Sequence, residues 1–176
     1  MIILDTNIIS ELGKQSPDRA VATWFGGLTD DDVFLTSITR AEALVGLFCL
    51  PDGSRRRELE ASTFKLLDET FGAKTLVFDQ WSAHHYAMIL AERKVRGRPI
   101  HPCDAMIAAI ARSRGAALAT RDVRDFDGCG LDLINPFDLS GTWRRTVSEP
   151  VQRYCYRGFR RIDEQCSTVT SQYRTN

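Results

Sequence analysis

The sequence predicts an α/β protein built on a central parallel sheet of about five strands, with helices covering both faces. Three observations predict it. Short apolar runs alternate with helical stretches along the chain, which is the pattern of parallel strands joined by crossover helices. The segment Ala105-Met106-Ile107-Ala108-Ala109-Ile110-Ala111 is apolar on most sides, and only the middle of a domain buries such a helix. Finally, 176 residues with 43% hydrophobic and 26% charged content suffice for one domain with a real core.

The elements follow in order. Residues 1–5 read as a short buried strand, four apolar residues ending at Asp5, and a helical stretch runs from Thr6 to Leu12. Ser16-Pro17 supplies an N-cap and a first-turn proline for a helix reaching Gly26-Gly27. Val33–Thr36 is the second strand. Ala43, Leu44, Leu47 and Phe48 mark a helix from Thr39 to Leu50, closed by the Pro51-Asp52-Gly53 turn. Ser54 caps a helix with Leu59, Leu66, Leu67 and Phe71 inside. Leu76–Phe78 is a strand, and Asp79 caps a long helix through Val95, stopped by Gly97 and Pro99. Asp104 opens the apolar helix as its N-cap, and Gly115 ends it in the left-handed conformation. Ala117–Thr120 and Leu131–Ile134 are the last strands, the second ended by Asn135-Pro136.

Composition excludes several classes. No run of about 18 apolar residues exists to cross a membrane. Met1–Leu4 meets Asp5 after four apolar residues, too short for a secretory signal, so a cytoplasmic location is expected. Cys49, Cys103, Cys129, Cys155 and Cys166 are odd in number and lack Cys-x-x-Cys spacing, as expected of reduced thiols. The net charge of zero hides an asymmetry. Residues 1–140 hold 16 basic against 20 acidic residues, a balance of −4, and residues 141–176 hold 7 arginines against 3 acids, a balance of +4. The expected division is therefore a domain over 1–140 and a basic extension over 141–176. In the extension Val151, Cys155, Phe159, Ile162, Cys166, Val169 and Tyr173 share one sector of a helical wheel, opposite Arg153, Arg157, Arg160 and Arg161. A basic amphipathic helix and a loosely ordered tail both fit, the latter favoured by Gly158 and the Ser/Thr-rich end.

In an open parallel sheet, ligands bind outside the carboxyl ends of the strands. Asp5 ends the first strand, Glu42 lies one turn into the helix after the second, Asp104 starts the apolar helix, and Asp122 follows the Ala117–Thr120 strand, with Asp125 one turn on. Each acid singly has a local explanation. Asp5 and Asp104 suit helix caps, Thr39-x-x-Glu42 suits a capping box, and Asp122 and Asp125 suit a turn. Together they gather at one rim, where two carboxylates 4 Å apart repel by about 4 kcal/mol at an effective dielectric near 20. Such a cluster calls for protonation or a cation. Oxygen ligands without His or Cys favour Mg²⁺ or Mn²⁺. His84, His85 and His101 lack ligand spacing, and Ser10 and Ser37 lack a Gly-x-Ser-x-Gly elbow. Phosphate-binding and dinucleotide-binding glycine motifs are absent from the sequence. A receiver-like phosphatase would need a second acid beside Asp5 and a late lysine, and Lys14, Lys65, Lys74 and Lys94 all come too early.

Asp5-Thr6-Asn7 after an apolar strand, Ala41-Glu42-Ala43-Leu44, Asp104-Ala105-Met106-Ile107-Ala108-Ala109, Thr120-Arg121-Asp122 leading to Asp125-Phe126, and Asn135-Pro136-Phe137 together resemble the PIN-domain ribonucleases. The resemblance covers residues 1–138 and is strongest to toxins of bacterial VapBC-type toxin–antitoxin pairs, including the Fit-type subgroup. One departure is Arg121, where many relatives have Asn; it is expected to matter little. The resemblance implies a three-layer α/β/α PIN-like fold and a Mg²⁺-dependent endoribonuclease, with Mn²⁺ as a substitute. It makes Asp5 and Asp104 the principal metal-binding acids, completed by Glu42 and Asp122. Asp125 would assist through water, and Thr6, Asn7 and Thr120 would orient the carboxylates. It further implies an RNA substrate, a cognate small antitoxin and a homodimer. The clusters Arg55-Arg56-Arg57 and Arg93-Lys94-x-Arg96-x-Arg98 are candidates to hold the RNA backbone, the second being the better placed. The competing reading is a non-catalytic PIN-like module that binds RNA or protein.

Overall fold

The computed structural model describes residues 1–138; the segment 141–176, with its expected amphipathic helix, lies outside them. Five parallel strands, β1 (Ile2–Leu4), β2 (Val33–Thr36), β3 (Thr75–Leu76), β4 (Ala117–Ala119) and β5 (Leu133–Ile134), form one sheet in the order β3-β2-β1-β4-β5. Ile3 of β1 stands level with Phe34 of β2 and Leu118 of β4, so the strands are in close register and their carboxyl ends reach one rim. The chain moves outward from β1 to β3 and then returns to place β4 on the other side of β1. That reversal opens a crevice between the ends of β1 and β4, the place where such sheets bind ligands.

Side-chain alternation along the strands creates the three layers. Ile3 and Leu118 face one side, where they are fully buried with Ile89, Ile107, Ile110 and Phe126. Leu4 and Ala119 face the other, with Ile8, Ile9, Val21, Leu35, Leu67 and Phe71. The first side is covered by α5 (Gln80–Val95), α6 (Pro102–Arg114) and α7 (Val123–Phe126). The second is covered by α1 (Thr6–Leu12), α2 (Arg19–Gly26) and the stretch after α4 (Ser54–Phe64), which continues as a π-helical turn over Lys65–Thr70. The remaining helix, α3 (Ser37–Phe48), follows β2 directly. Six residues of α6 are buried: Ala105, Ile107, Ala108, Ala109, Ile110 and Ala111. This is the all-round burial that its composition requires.

Several boundaries differ from the sequence expectation, each for a local reason. Asp18, not Ser16, caps α2, accepting from the backbone N–H groups of Ala20 and Val21. A carboxylate two residues nearer the helix outcompetes the serine. Helix α3 starts at Ser37 rather than Thr39 because Thr36, the last strand residue, accepts from the Thr39 N–H. Gly53 stands at the cap of α4, and Ser54 is its first helical residue. His101 is the cap residue of α6 with Pro102 in the first turn, so Asp104 lies inside the first turn instead of capping it. β3 and β5 are shorter than expected, and Val77 is 58% exposed. The helices over 6–12 and 80–95, the strand over 33–36 and the left-handed Gly115 (φ 61°) match.

Candidate metal and nucleic-acid site

Asp5, Glu42, Asp104 and Asp122 all line one open cleft of about 470 Å³ at the carboxyl rim of the sheet, with Thr6, Asn7, Ser10, Glu11, Lys14 and Arg121. The fold positions each of them. Asp5 is the residue after β1 and caps α1, its Oδ1 accepting from the Thr6 N–H at 2.8 Å. Its Oδ2 accepts from the Asn7 amide at 2.8 Å and from the Thr120 hydroxyl at 2.7 Å. The cap reading and the site reading of Asp5 are thus both true. Thr120 follows β4, and Asn7 also donates to Asp122 Oδ2 at 3.2 Å. Two distant chain segments are therefore tied together through one amide.

Glu42 forms no capping box. Instead it accepts from the Thr6 hydroxyl at 2.5 Å, bringing α3 against the start of α1. The box fails because Thr36 already serves the Thr39 N–H at 2.9 Å. Asp122 makes no capping bond to α7. The role expected of Thr6, Asn7 and Thr120 is what their hydrogen bonds show: each holds a carboxylate. Asp125 is exposed and lies outside the cleft lining, reaching the cluster only as a charge that disfavours ionised Asp104.

The electrostatics record the crowding. Burial raises the Asp5 carboxyl above the ordinary carboxylate range; the Thr120 and Thr6 bonds pull it down, and Glu42 and Asp122 push it up again. Asp104 is pushed up to about 6, first by burial and then by the negative charges of Asp5 and Glu42, with His101 opposing. His101 thus stands near the cluster, a neighbour that the spacing argument sets aside. Asp104 receives no hydrogen bond among the described residues. Burial, followed by the negative charge of nearby Glu42, raises the Cys103 thiol.

An uncompensated carboxylate among three others, all hard oxygen donors, fits a hard divalent cation. Among the described residues no three His, Cys, Asp or Glu side chains already stand together to hold an ion. Glu42 accepts a side-chain bond from Thr6 and Asp122 accepts one from Asn7, and a carboxylate offers about four lone-pair sites, so the bonds leave oxygen free for an ion.

The arginine clusters divide differently from expectation. Arg93 is buried, donates to the backbone carbonyl of Asp127, and fastens α5 to the loop after α7. Arg98 pairs with Asp127 at 2.6 Å, and Arg96 lies over Gly128. Most of this cluster is structural. Arg56 pairs with Asp52 at 2.7 Å, while Arg55 borders a separate groove between α1 and α4. Sequence reasoning also missed Glu11, Lys14 and Arg121 in the cleft. The signal was available for two of them, since Asn7, Glu11 and Lys14 recur at helical spacing, the first two on α1 and Lys14 two residues past its end.

Residues 2–128 match the family model described as PIN domain. The chain belongs to the PIN-domain family. This PIN domain is 39% identical over 138 residues to "VapC ribonuclease Y4jK" of Sinorhizobium fredii, a match covering 78% of this chain and 99% of that relative. It is 34% identical over 137 residues to "Toxin FitB" of Neisseria gonorrhoeae, covering 78% and 99%. Among solved structures it resembles a chain of FitAB bound to an IR36 DNA fragment, with a TM-score of 0.74, 34% identity and coverage of 79% and 97%. The PIN-like three-layer fold is therefore established for this chain, with the acid-lined cleft at the rim of its sheet.

Proposed function

We propose that this PIN domain is the toxin of a type II toxin–antitoxin module, a Mg²⁺-dependent endoribonuclease that hydrolyses RNA phosphodiester bonds. The observation that carries the reading is the convergence of Asp5, Glu42, Asp104 and Asp122 on one cleft from four separate chain segments. The ribonuclease and toxin names of the relatives support it. Asp5 and Asp104 would be the principal holders of the ion, with Glu42 and Asp122 completing the set and Mn²⁺ able to substitute. Bound there, Mg²⁺ supplies positive charge for the phosphodiester and acidifies the attacking water.

The chain's own residues do the rest. Thr120 and Asn7 restrain Asp5, and Asn7 restrains Asp122, which limits the cost of ordering them. Thr6 keeps Glu42 beside them. No nucleophilic side chain is required. An antitoxin partner follows from the toxin reading, because a nuclease of cellular RNA has to be restrained. A homodimer is part of the same proposal, supported by Val45 and Phe48, three residues apart on α3 and 60% and 53% exposed.

Purified protein should cleave RNA with Mg²⁺, stop with EDTA, and lose at least about 10- to 100-fold of its rate in Asp5→Ala, since losing even a group that orients a metal ligand costs that much. Cleavage that survives both EDTA and the substitution would reject the assignment. An intact protein that binds RNA but never cuts it would favour the non-catalytic module.

A further inference from the structure

One carboxylate of the cleft does not belong to the acid cluster. Glu11 is buried, with 7% of its side chain exposed, and the groups it bonds all complement its charge. Its Oε1 accepts from the Asp18 N–H at 2.9 Å. Its Oε2 accepts from Lys14 Nζ at 2.6 Å and from Arg121 Nη2 at 3.4 Å. Lys14 and Arg121 remain 56% and 52% exposed, and both line the same cleft as the four acids. The Arg121 guanidinium lies over the Phe137 ring, 3.8 Å from its centroid, and its backbone N–H donates to Asn7 Oδ1 at 3.1 Å. Asn7 in turn holds Asp5 and Asp122.

We propose that Lys14 and Arg121, anchored by buried Glu11, form a clamp for a phosphate of single-stranded RNA flanking the one held at the acid cluster. This inference rests on the ribonuclease reading and adds substrate-positioning residues to it. The chemistry is a count of donors. An ammonium has three and a guanidinium five, and among the described residues each side chain gives hydrogen bonds to Glu11 alone, leaving two and four for a ligand. Two cations against one anion leave a net positive charge beside an acidic pocket, where an RNA backbone needs it. The Glu11 anchor and the stacking of Arg121 on Phe137 limit the ordering cost of two long side chains. The presence of Arg121 is therefore consequential, contrary to the sequence expectation.

The test measures binding of a short 5′-labelled single-stranded RNA to protein carrying Asp104→Asn, which suppresses turnover, across a salt series. Each phosphate contact contributes about 0.7 to the slope of log affinity against log salt for single strands. Lys14→Met and Arg121→Gln should each lower the slope by about 0.7. In the cleaving protein they should raise KM about tenfold, a loss of about 1.4 kcal/mol, with kcat within about threefold. Lys14→Arg and Arg121→Lys should restore the slope, and thermal melting separates any loss of fold. Unchanged slopes in folded variants of a protein that cleaves RNA would overturn the clamp and leave the nuclease standing. Reduced slopes in a protein that never cleaves would keep the clamp and remove the hydrolysis. A protein that neither binds nor cuts RNA would remove both.

Discussion

Asp5 caps α1 and faces the cleft at once, and Thr120 governs how readily it ionises, since its hydroxyl is the strongest influence opposing burial. Thr120 also accepts from the Asp122 N–H at 3.0 Å. Thr120→Val keeps the shape and removes the hydroxyl, so Asp5 becomes harder to ionise. Metal affinity and RNA cleavage should fall about 10- to 100-fold, the range seen when a group orienting a metal ligand is lost. The acid limb of the pH–rate profile should move to higher pH in the same variant. The four acids were legible in the sequence because Asp5 and Asp122 come just after strands, Glu42 lies in the helix that follows β2, and Asp104 lies in the first turn of the apolar helix. Their partners were legible only in part. Thr6, Asn7 and Thr120 stand beside the acids in sequence. Glu11 meets Arg121 across 110 residues, a pairing that no local pattern encodes.

At the scale of elements, the apolar helix α6 shows where sequence reasoning works and where it slips. Its existence and its left-handed end follow from composition and from Gly115. Its first residue does not, because His101, Pro102 and Asp104 are all plausible beginnings and tertiary packing selects among them. The selection has a functional result. With His101 at the cap, Asp104 is free of capping duty and receives no hydrogen bond among the described residues, so it carries the charge stress of the cleft. At the other end, a Cβ on Gly115 would meet nothing within 4 Å. Gly115→Ala should therefore cost only the left-handed backbone preference, about 1–2 kcal/mol by chemical denaturation, with the fold and cleavage otherwise kept. The strands β3 and β5 are shorter than their apolar runs because Val77 and Leu131 extend those runs beyond the paired residues.

For the molecule as a whole, the acid cluster favours function at the expense of the metal-free fold. Asp104 is held near 6 in the folded chain against an ordinary 3.8, and Asp5 shifts in the same direction. The folded state therefore binds more protons than the unfolded state between those values, and metal-free stability falls as pH rises from about 4 to 6. Glu11 has the opposite sign: its carboxyl is held below the ordinary 4.5, chiefly by Lys14, so its stabilisation is lost only at lower pH. Solvent screening of a half-buried group leaves about 1 kcal/mol of the Asp104 stress. Metal-free Asp104→Asn protein should accordingly melt about 3 °C higher at pH 7.5 and lose most of the dependence between about pH 4 and 6. The layered architecture, the five strands and the rim they share were readable from alternation of apolar runs and helices. The partition of charge between cleft and structure was not, since Arg93 and Lys14 look alike in sequence and differ only in what the fold puts next to them. The most direct test of the central claim is calorimetric titration of EDTA-stripped protein with Mg²⁺ and Mn²⁺. Wild type should take up either ion saturably and Asp104→Asn should bind at least about tenfold more weakly, whereas no uptake by wild type, or equal uptake by both, would contradict the account.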